Sequence, residues 1–167
     1  LEALGIAIIN AETDSQVKPL GEFFKKLGKE VFAIFDKQEE SVSKSIHVAI
    51  EHCFESSEKT FEDVVLNQTS ESALKRFALN LVDQGKWPTH LLDKNPKNSP
   101  DLQTLKKYLF EYFKWSKGHG TAADLFSECN EREMPKYVTD IAEKVKKIVE
   151  SKHVEDEGQN DFQTGLF

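Results

Sequence analysis

Short apolar runs separated by a helical pattern mark the first fifty residues of the chain. Residues 4–10 and 31–35 are nearly continuous apolar runs, which is typical of strands that are buried on both faces of a parallel sheet. Between them, Pro19 opens a stretch with apolar residues three and four positions apart, and Gly28 ends it. This order predicts a strand–helix–strand unit with a right-handed crossover. Residues 45–51 alternate more and predict a further strand nearer the sheet edge.

Helical periodicity dominates the rest of the chain. Apolar positions three and four apart predict helices at residues 61–66, 72–82, 102–113 and 121–130, and a longer helix that starts at Pro135. Residues 151–167 are polar and acidic, so we expect a flexible tail there. The predicted fold class is therefore α/β, with a small, mostly parallel sheet flanked by helices and followed by a helical C-terminal half.

The composition fits one globular domain that stays in the cytoplasm. Of the 167 residues, 38% are hydrophobic and 31% are charged, and no apolar run is long enough to cross a bilayer. We therefore expect no membrane partner, and because no secretory leader opens the sequence, we do not expect secretion. Cys53 and Cys129 are too few and too far apart for a disulfide framework or a zinc knuckle, and the five histidines show no ligand spacing.

The charge of the chain is unevenly distributed. The formal net charge is -7, yet residues 86–117 hold seven lysines and three acidic residues, a local balance of +4. A basic stretch in an acidic chain can form a surface that faces phosphates. A solvated loop and helix face explains the same pattern equally well, and the sequence leaves both interpretations open.

Asp36 is the best-placed candidate for metal chemistry, because it directly follows the predicted strand at residues 31–35. Ligands of parallel sheets gather outside the carboxyl ends of the strands, and carboxylate oxygens suit Mg²⁺ or Mn²⁺. The alternative is that Asp36 only caps the following turn.

Two further groups of charged residues are candidates for chemistry, one beside a glycine-rich loop and one at the start of a predicted helix. Lys117 precedes a Gly-His-Gly turn, where the backbone can approach a phosphate and a lysine can neutralise developing charge. The alternative is an exposed loop lysine, and the chain has no phosphate-loop nucleotide motif. Glu62 and Asp63 open a predicted helix, where acidic residues also complement the helix dipole.

Several stretches, taken in order, resemble the middle of a Toprim domain. They are Gly5-Ile6-Ala7-Ile8-Ile9-Asn10-Ala11, the helix that ends at Leu27-Gly28, and Val31-Phe32-Ala33-Ile34-Phe35-Asp36-Lys37-Gln38. Phe61-Glu62-Asp63, the stretch from Lys117 to Asp124 and the stretch from Glu133 to Val138 make the chain similar to the Toprim portion of OLD-family (overcoming lysogenization defect) ATP-dependent endonucleases. The resemblance covers roughly residues 4–150 and rests on the order and spacing of these motifs.

The resemblance implies a metal-dependent nuclease domain that cleaves DNA in a bacterial cytoplasm, in phage defence or repair. In such proteins Mg²⁺ or Mn²⁺ supports phosphodiester cleavage. ATP acts only through an ABC-type ATPase domain upstream in the same protein, and homo-oligomers are possible. On this interpretation residues 1–150 form the Toprim-like nuclease domain, without its first strand.

The resemblance also assigns roles to individual residues. Asp36 matches the first Asp of the family's Asp-x-Asp motif, and Glu62 matches a second metal-binding carboxylate. Lys117 matches the catalytic lysine that stabilises charge on the scissile phosphate. Possible supporting residues are Gln38, Asp63 and Asp124, and the expected DNA-binding residues are Lys106, Lys107 and Lys114.

The sequence departs from the family pattern in two respects. Gln38 stands where the second Asp of the motif is expected, so it offers a carbonyl oxygen without charge. The catalytic Glu of the first Toprim strand has no counterpart, because that strand precedes the one that opens this sequence. We therefore expect a C-terminal piece of a longer protein; the alternative is a degenerate Toprim domain that serves dimerisation or partner binding without catalysis.

Overall fold

The computed structural model describes residues 5–99, 101–117 and 120–160. The described residues form two compact units, one within residues 5–55 and 139–160 and the other within residues 56–138. The elements in chain order are α1 (Asp14–Lys26), β1 (Phe32–Phe35), α2 (Glu40–Ala49), β2 (His52–Glu55), α3 (Phe61–Gln68), α4 (Glu71–Asp83), α5 (Leu102–Trp115), α6 (Thr121–Ser127) and α7 (Lys136–Asn160). Two short 3₁₀ helices, Thr89–Lys94 and Pro96–Asn98, lie between α4 and α5.

The first unit contains a parallel strand–helix–strand motif formed by β1, α2 and β2. The two strands pair in parallel, with Phe32 opposite His52 and Phe35 opposite Glu55. Among the described residues the sheet has these two strands, and its core is Ala33, Phe35, Ile46 and Ile50. A mixed α/β fold with a small parallel sheet and flanking helices is confirmed.

The prediction of a strand at residues 45–51 is wrong, because residues 45–49 form the end of α2 and Ile50 is its C-cap residue. Alternation would place Ile46, Val48 and Ile50 on one face. Instead, Ile46 and Ile50 are each 1% exposed while Val48 is 88% exposed, as expected for positions i and i+4 on a buried helix face. The strand that follows the helix is β2, which starts at His52.

The prediction of a strand at residues 4–10 is also wrong for its described part, residues 5–10, while Leu4 lies outside it. This segment has no regular secondary structure, and Ile8 and Ile9 are 77% and 56% exposed. An apolar run forms a strand only where a neighbouring strand accepts its hydrogen bonds. In the described residues, β1 pairs with β2 alone.

Helix α1 begins at Asp14, five residues before the predicted start, and contains Pro19 in its interior. Proline removes one helical hydrogen bond there, but the rest of the helix is retained. Gly21 lies against the end of α2: a Cβ on Gly21 would stand 2.3 Å from Cδ1 of Ile50. The absence of a side chain at this position therefore allows α1 to approach Ile50 closely.

The second unit is helical, and its four predicted helices are confirmed as α3 to α6. Its core is formed mainly by apolar residues of α3, α4, α5 and α6: Val65, Leu66, Leu74, Phe77, Ala78, Leu81, Leu105, Leu109, Tyr112, Phe113 and Leu125. Side chains of Thr60, Ser70 and Asp101 cap α3, α4 and α5, each accepting a backbone hydrogen bond from three residues further on. Apolar periodicity and capping thus agree on these helices.

Helix α7 follows Pro135, as predicted, and its backbone continues to Asn160. The backbone of residues 151–160, the first ten residues of the expected tail, is helical. The remainder of the predicted tail, residues 161–167, lies outside the described residues. None of the helices in the described residues has both the length and the apolar character needed to span a bilayer.

Glu133 ties the segment before α7 to helix α4. Its carboxylate accepts hydrogen bonds from Arg76 Nη2 at 2.9 Å, Ser72 Oγ at 2.8 Å and the Asn130 backbone N–H at 3.1 Å. The hydrogen bond from Arg76 is the main cause that lowers the pKa of Glu133 to about 2 from its usual 4.5. The carboxylate is therefore charged in the folded protein well below the pH at which it is protonated in the unfolded chain.

This pKa predicts an acid-dependent loss of stability in the second unit. A carboxyl group with a lowered folded-state pKa stabilises the fold above its unfolded pKa, and the contribution disappears as the pH falls through the folded value. We expect the free energy of unfolding to fall between about pH 4.5 and pH 2, and the fall to be smaller in Glu133→Gln. Urea titrations monitored by tryptophan fluorescence test this, since both tryptophans lie in the second unit. Glu131→Gln, an exposed neighbour, is the control, and equal acid sensitivity of both variants contradicts the prediction.

Candidate functional site

Two carboxylates lie at the same edge of the sheet in the first unit. Strands β1 and β2 are parallel, so their carboxyl ends meet at one edge. Asp36 directly follows β1, and Glu55, paired with Phe35, is the last residue of β2. Neighbouring strands are about 4.8 Å apart, so the sheet sets these two acidic residues on adjacent positions of its edge.

Glu55 organises the loop that leaves β1. Its Oε1 accepts the Gln38 backbone N–H at 2.9 Å, and its Oε2 accepts the Ser43 hydroxyl at 2.5 Å. These hydrogen bonds, that of Gln38 first, lower the pKa of Glu55 below its usual value. The result is an ionised carboxylate at neutral pH at the end of β2, on the strand next to the one that Asp36 follows.

Gln38 lies in the same loop, and the structure brings it together with Asp36. Its side-chain Nε2 donates to the backbone carbonyl of Asp36 at 3.0 Å, and both residues are half-buried. The amide therefore braces the turn after β1. Its side-chain carbonyl oxygen is a neutral atom that could coordinate a cation.

Ser43 and His47 stand near Glu55 but do not form a nucleophilic pair. The Nδ1 atom of His47 is 2.9 Å from the Ser43 carbonyl oxygen and 3.4 Å from the Ser43 hydroxyl oxygen. A ring nitrogen next to a carbonyl oxygen is a donor, so it cannot accept the serine proton there. The Ser43 hydroxyl instead donates to Glu55, and the geometry gives no activated serine.

The sheet edge therefore offers oxygen donors of the kind that Mg²⁺ and Mn²⁺ prefer. They come from two carboxylates, one amide and one hydroxyl. In the part of the chain that the structure describes, no group of three or more His, Cys, Asp or Glu side chains is placed to hold a metal ion. An ion at this edge would accordingly keep several water ligands, which is usual for Mg²⁺.

Glu62 and Asp63 lie in the second unit, in the first turn of α3. Asp63 belongs to the capping arrangement of this helix: Thr60 accepts its backbone N–H at 3.1 Å and donates its hydroxyl to Asp63 Oδ2 at 2.8 Å. This is a reciprocal N-terminal cap. Glu62 is half-buried beside it and is not part of the cap.

Lys117 is exposed and follows the end of α5. The backbone on either side of it is anchored, because the Thr121 hydroxyl donates to Ser116 Oγ at 2.6 Å and Ser116 donates to the Tyr112 carbonyl at 2.9 Å. Residues 118 and 119 of the predicted Gly-His-Gly turn lie outside the described residues. Gly120 has a φ of 76° at the start of α6, a left-handed conformation that favours glycine.

The other basic candidates lie on α5, and Asp124 lies on α6. Lys114 stands over the ring of Phe110 at 5.7 Å, Lys106 reaches Asn67 Oδ1 at 3.5 Å, and Lys107 is exposed. Asp124 is exposed in the first turn of α6. Lys107 and Lys114 are exposed, so α5 presents their positive charge to solvent, although Lys107 also interacts electrostatically with Asp101.

The predicted site residues thus fall into two sets. Asp36 and Gln38 lie together in the first unit, whereas the second unit carries Glu62, Asp63, Asp124, Lys106, Lys107, Lys114 and Lys117. The sequence reasoning missed Glu55, because it did not recognise β2. The sequence does place an acidic residue, Glu55, at the end of the short segment His52–Glu55. This segment follows β1 after one helix, and recognising it as a strand would have identified Glu55.

Comparisons of the chain with protein-family models, with curated proteins and with solved structures found no match.

Proposed function

We propose that this chain is the Toprim-like part of a metal-dependent DNA endonuclease of the OLD type. The observation that supports the proposal is the pairing of β1 and β2, which puts Asp36 and Glu55 at the carboxyl edge of a parallel strand–helix–strand motif. Binding sites of α/β proteins form at this kind of edge. The motif offers oxygen donors at such an edge, and it lies after the strand–helix–strand unit that the resemblance implies, since residues 5–10 form no strand.

In this proposal Asp36 and Glu55 hold a divalent cation, Mg²⁺ or Mn²⁺, with Gln38 as a neutral oxygen donor. When bound, such an ion activates water and stabilises the charge of a cleaved phosphodiester. The chain's own contribution at this edge is to fix the Glu55 carboxylate and to brace the turn that carries Asp36. Glu55 is held by the Gln38 N–H and the Ser43 hydroxyl, so little side-chain freedom is lost when a cation binds.

The second unit would supply contacts with DNA. Lys106, Lys107 and Lys114 project from α5, and Lys117 follows it on an anchored backbone. Lysines that neutralise phosphates release counterions, so binding should weaken steeply with salt. Lys117 is our candidate for the group that stabilises charge on the phosphate, and Glu62, Asp63 and Asp124 remain candidates for supporting roles.

The proposal extends to the parent protein. The full enzyme would act in the cytoplasm and carry an ABC-type ATPase domain upstream. ATP would bind only to that domain. It would also carry the first Toprim strand with the catalytic Glu that this sequence lacks. Assembly as a homo-oligomer is part of the same proposal.

Plasmid nicking tests this function. The assay compares this chain with a version extended upstream, in Mn²⁺, in Mg²⁺ and in chelator, with and without ATP. We expect metal-dependent nicking by the extended protein and none by this chain alone. If a folded extended protein leaves the plasmid intact in both metals, the nuclease proposal is wrong.

A second candidate function is a binding module that has the fold without the catalysis. The observation that favours it is the exposure of large apolar side chains in the first unit, among them Ile8, Phe23, Leu27 and Val48, since exposed apolar surface often marks an interface. Sedimentation velocity distinguishes the two functions. A dimer that Val48→Lys dissociates, together with no nicking by the extended protein, supports the module.

A further inference from the structure

An aromatic stack in the second unit ends in a half-exposed tryptophan. The ring of buried Trp87 lies parallel to that of Tyr112, with centroids 5.1 Å apart. Trp115 packs against Tyr112 at 5.7 Å and against His90 at 5.6 Å, yet it is 50% exposed. Its indole is therefore held from behind by other rings while part of its surface faces solvent.

Lysines flank this stack in the sequence. Lys114 precedes Trp115, Lys117 follows it by two residues, and Lys86 precedes Trp87. Lys94 ends the 3₁₀ helix that contains His90. Asp93 and Glu111 are the acidic residues closest in sequence to the stack, and the balance over residues 86–117 stays at +4.

We propose that Trp115 is a stacking platform for an unpaired base, so that this surface binds single-stranded DNA. The inference deepens the proposed nuclease function and rests on it for the choice of DNA. An indole stacks on a base face, which is accessible only when the base is unpaired and unstacked from its neighbour. The lysines attract the adjoining phosphates, which is the usual combination in proteins that bind single strands.

The position of Trp115 suits this role better than a purely structural one. A core tryptophan of this unit, Trp87, is buried and donates its indole N–H to the Leu91 carbonyl at 2.9 Å. Trp115 instead leaves half of its surface in contact with water. This exposure is unfavourable in free energy, and a stacked base would remove the surface from water. Because Tyr112 and His90 already fix the ring, stacking orders few additional groups.

Fluorescence anisotropy with a labelled oligothymidylate of about 15 nucleotides tests the proposal. The titrations are made in chelator at several salt concentrations. We expect Trp115→Ala to weaken binding by about 5- to 150-fold, because stacking contributes that much per base. We expect Trp115→Phe to retain most of the affinity and Leu92→Ala, an exposed apolar residue of the same region, to change it by less than about twofold.

Salt dependence and intrinsic fluorescence separate stacking from charge. Trp115→Ala should leave the slope of affinity against salt unchanged, whereas Lys114→Ala should reduce it by about one counterion. Bound oligothymidylate should quench the fluorescence of the wild-type protein, and this quenching should disappear in Trp115→Phe because only buried Trp87 remains.

The proposal is wrong if Trp115→Ala binds the single strand as the wild type does, or if the wild type does not bind it. It is also wrong if a duplex of the same length binds equally well and loses the same affinity in Trp115→Ala. No metal is present in these titrations, so a failure of plasmid nicking does not affect them. Conversely, nicking can succeed while Trp115→Ala binds normally, which would reject the stacking role alone.

Discussion

Replacing Phe77 with alanine should lower the free energy of unfolding of the second unit by about 3–5 kcal/mol. Phe77 is 2% exposed and lies between α4 and α5, with its ring 6.5 Å from that of Tyr112 and 6.3 Å from that of Phe113. Removing the ring loses its transfer free energy and leaves a cavity that helices on both sides cannot fully close. A domain with typical total stability of about 5–15 kcal/mol would lose a large share of it.

Urea unfolding followed by tryptophan fluorescence measures this effect, since Trp87 and Trp115 both report on the second unit. Leu79→Ala is the matched control, because Leu79 lies on the same helix and is 41% exposed. We expect that substitution to change stability by less than about 0.5 kcal/mol. Similar losses in both variants would show that α4 does not bury the face assigned to it.

Lys117→Ala should reduce plasmid nicking by the upstream-extended protein by about 100- to 1000-fold. That is the usual cost of removing one group that stabilises transition-state charge. Lys117 is exposed, so its loss should leave the fold intact. The hydrogen bonds of Ser116 and Thr121 that anchor the segment do not involve its side chain.

The matched control is Lys59→Ala, an exposed lysine of the same unit outside the basic stretch. We expect it to nick at close to the wild-type rate, and both variants to unfold at the wild-type urea concentration. If Lys117→Ala loses cooperative unfolding, Lys117 is structural. If it folds and still nicks as fast as Lys59→Ala, Lys117 has no part in catalysis.

The helices of the second unit were predictable because two independent signals agree there. Apolar residues such as Leu74, Phe77, Ala78 and Leu81 recur at helical spacing in α4, and Ser70 caps it. Local preference and burial thus lead to one structure. In the first unit the signals are short and conflict: Ile46, Val48 and Ile50 recur at every second position as in a strand, yet residues 45–49 belong to helix α2.

The sequence predicted one of the two carboxylates of the candidate metal site, Asp36, but not the other, Glu55. Asp36 was identifiable because β1 is apolar and ends immediately before it. Glu55 was not, because β2 has only four residues, none of them fully buried, and His52 and Glu55 are polar. Its role depends on the parallel pairing with β1 and on hydrogen bonds to Gln38 and Ser43, at sequence distances of 17 and 12 residues. Contacts of this kind arise from tertiary structure and leave no local pattern.

Calorimetric titration of this chain with Mn²⁺ tests the central claim, that the carboxyl edge of the β1–β2 pair binds a divalent cation. The wild type is compared with Asp36→Ala and with the control Glu51→Ala. Glu51 is an exposed acidic residue just before β2, at the opposite edge of the sheet. The account predicts binding by the wild type and by Glu51→Ala, and an affinity at least about tenfold lower in Asp36→Ala. Equal Mn²⁺ affinity in Asp36→Ala and the wild type, or no binding by either, would contradict it.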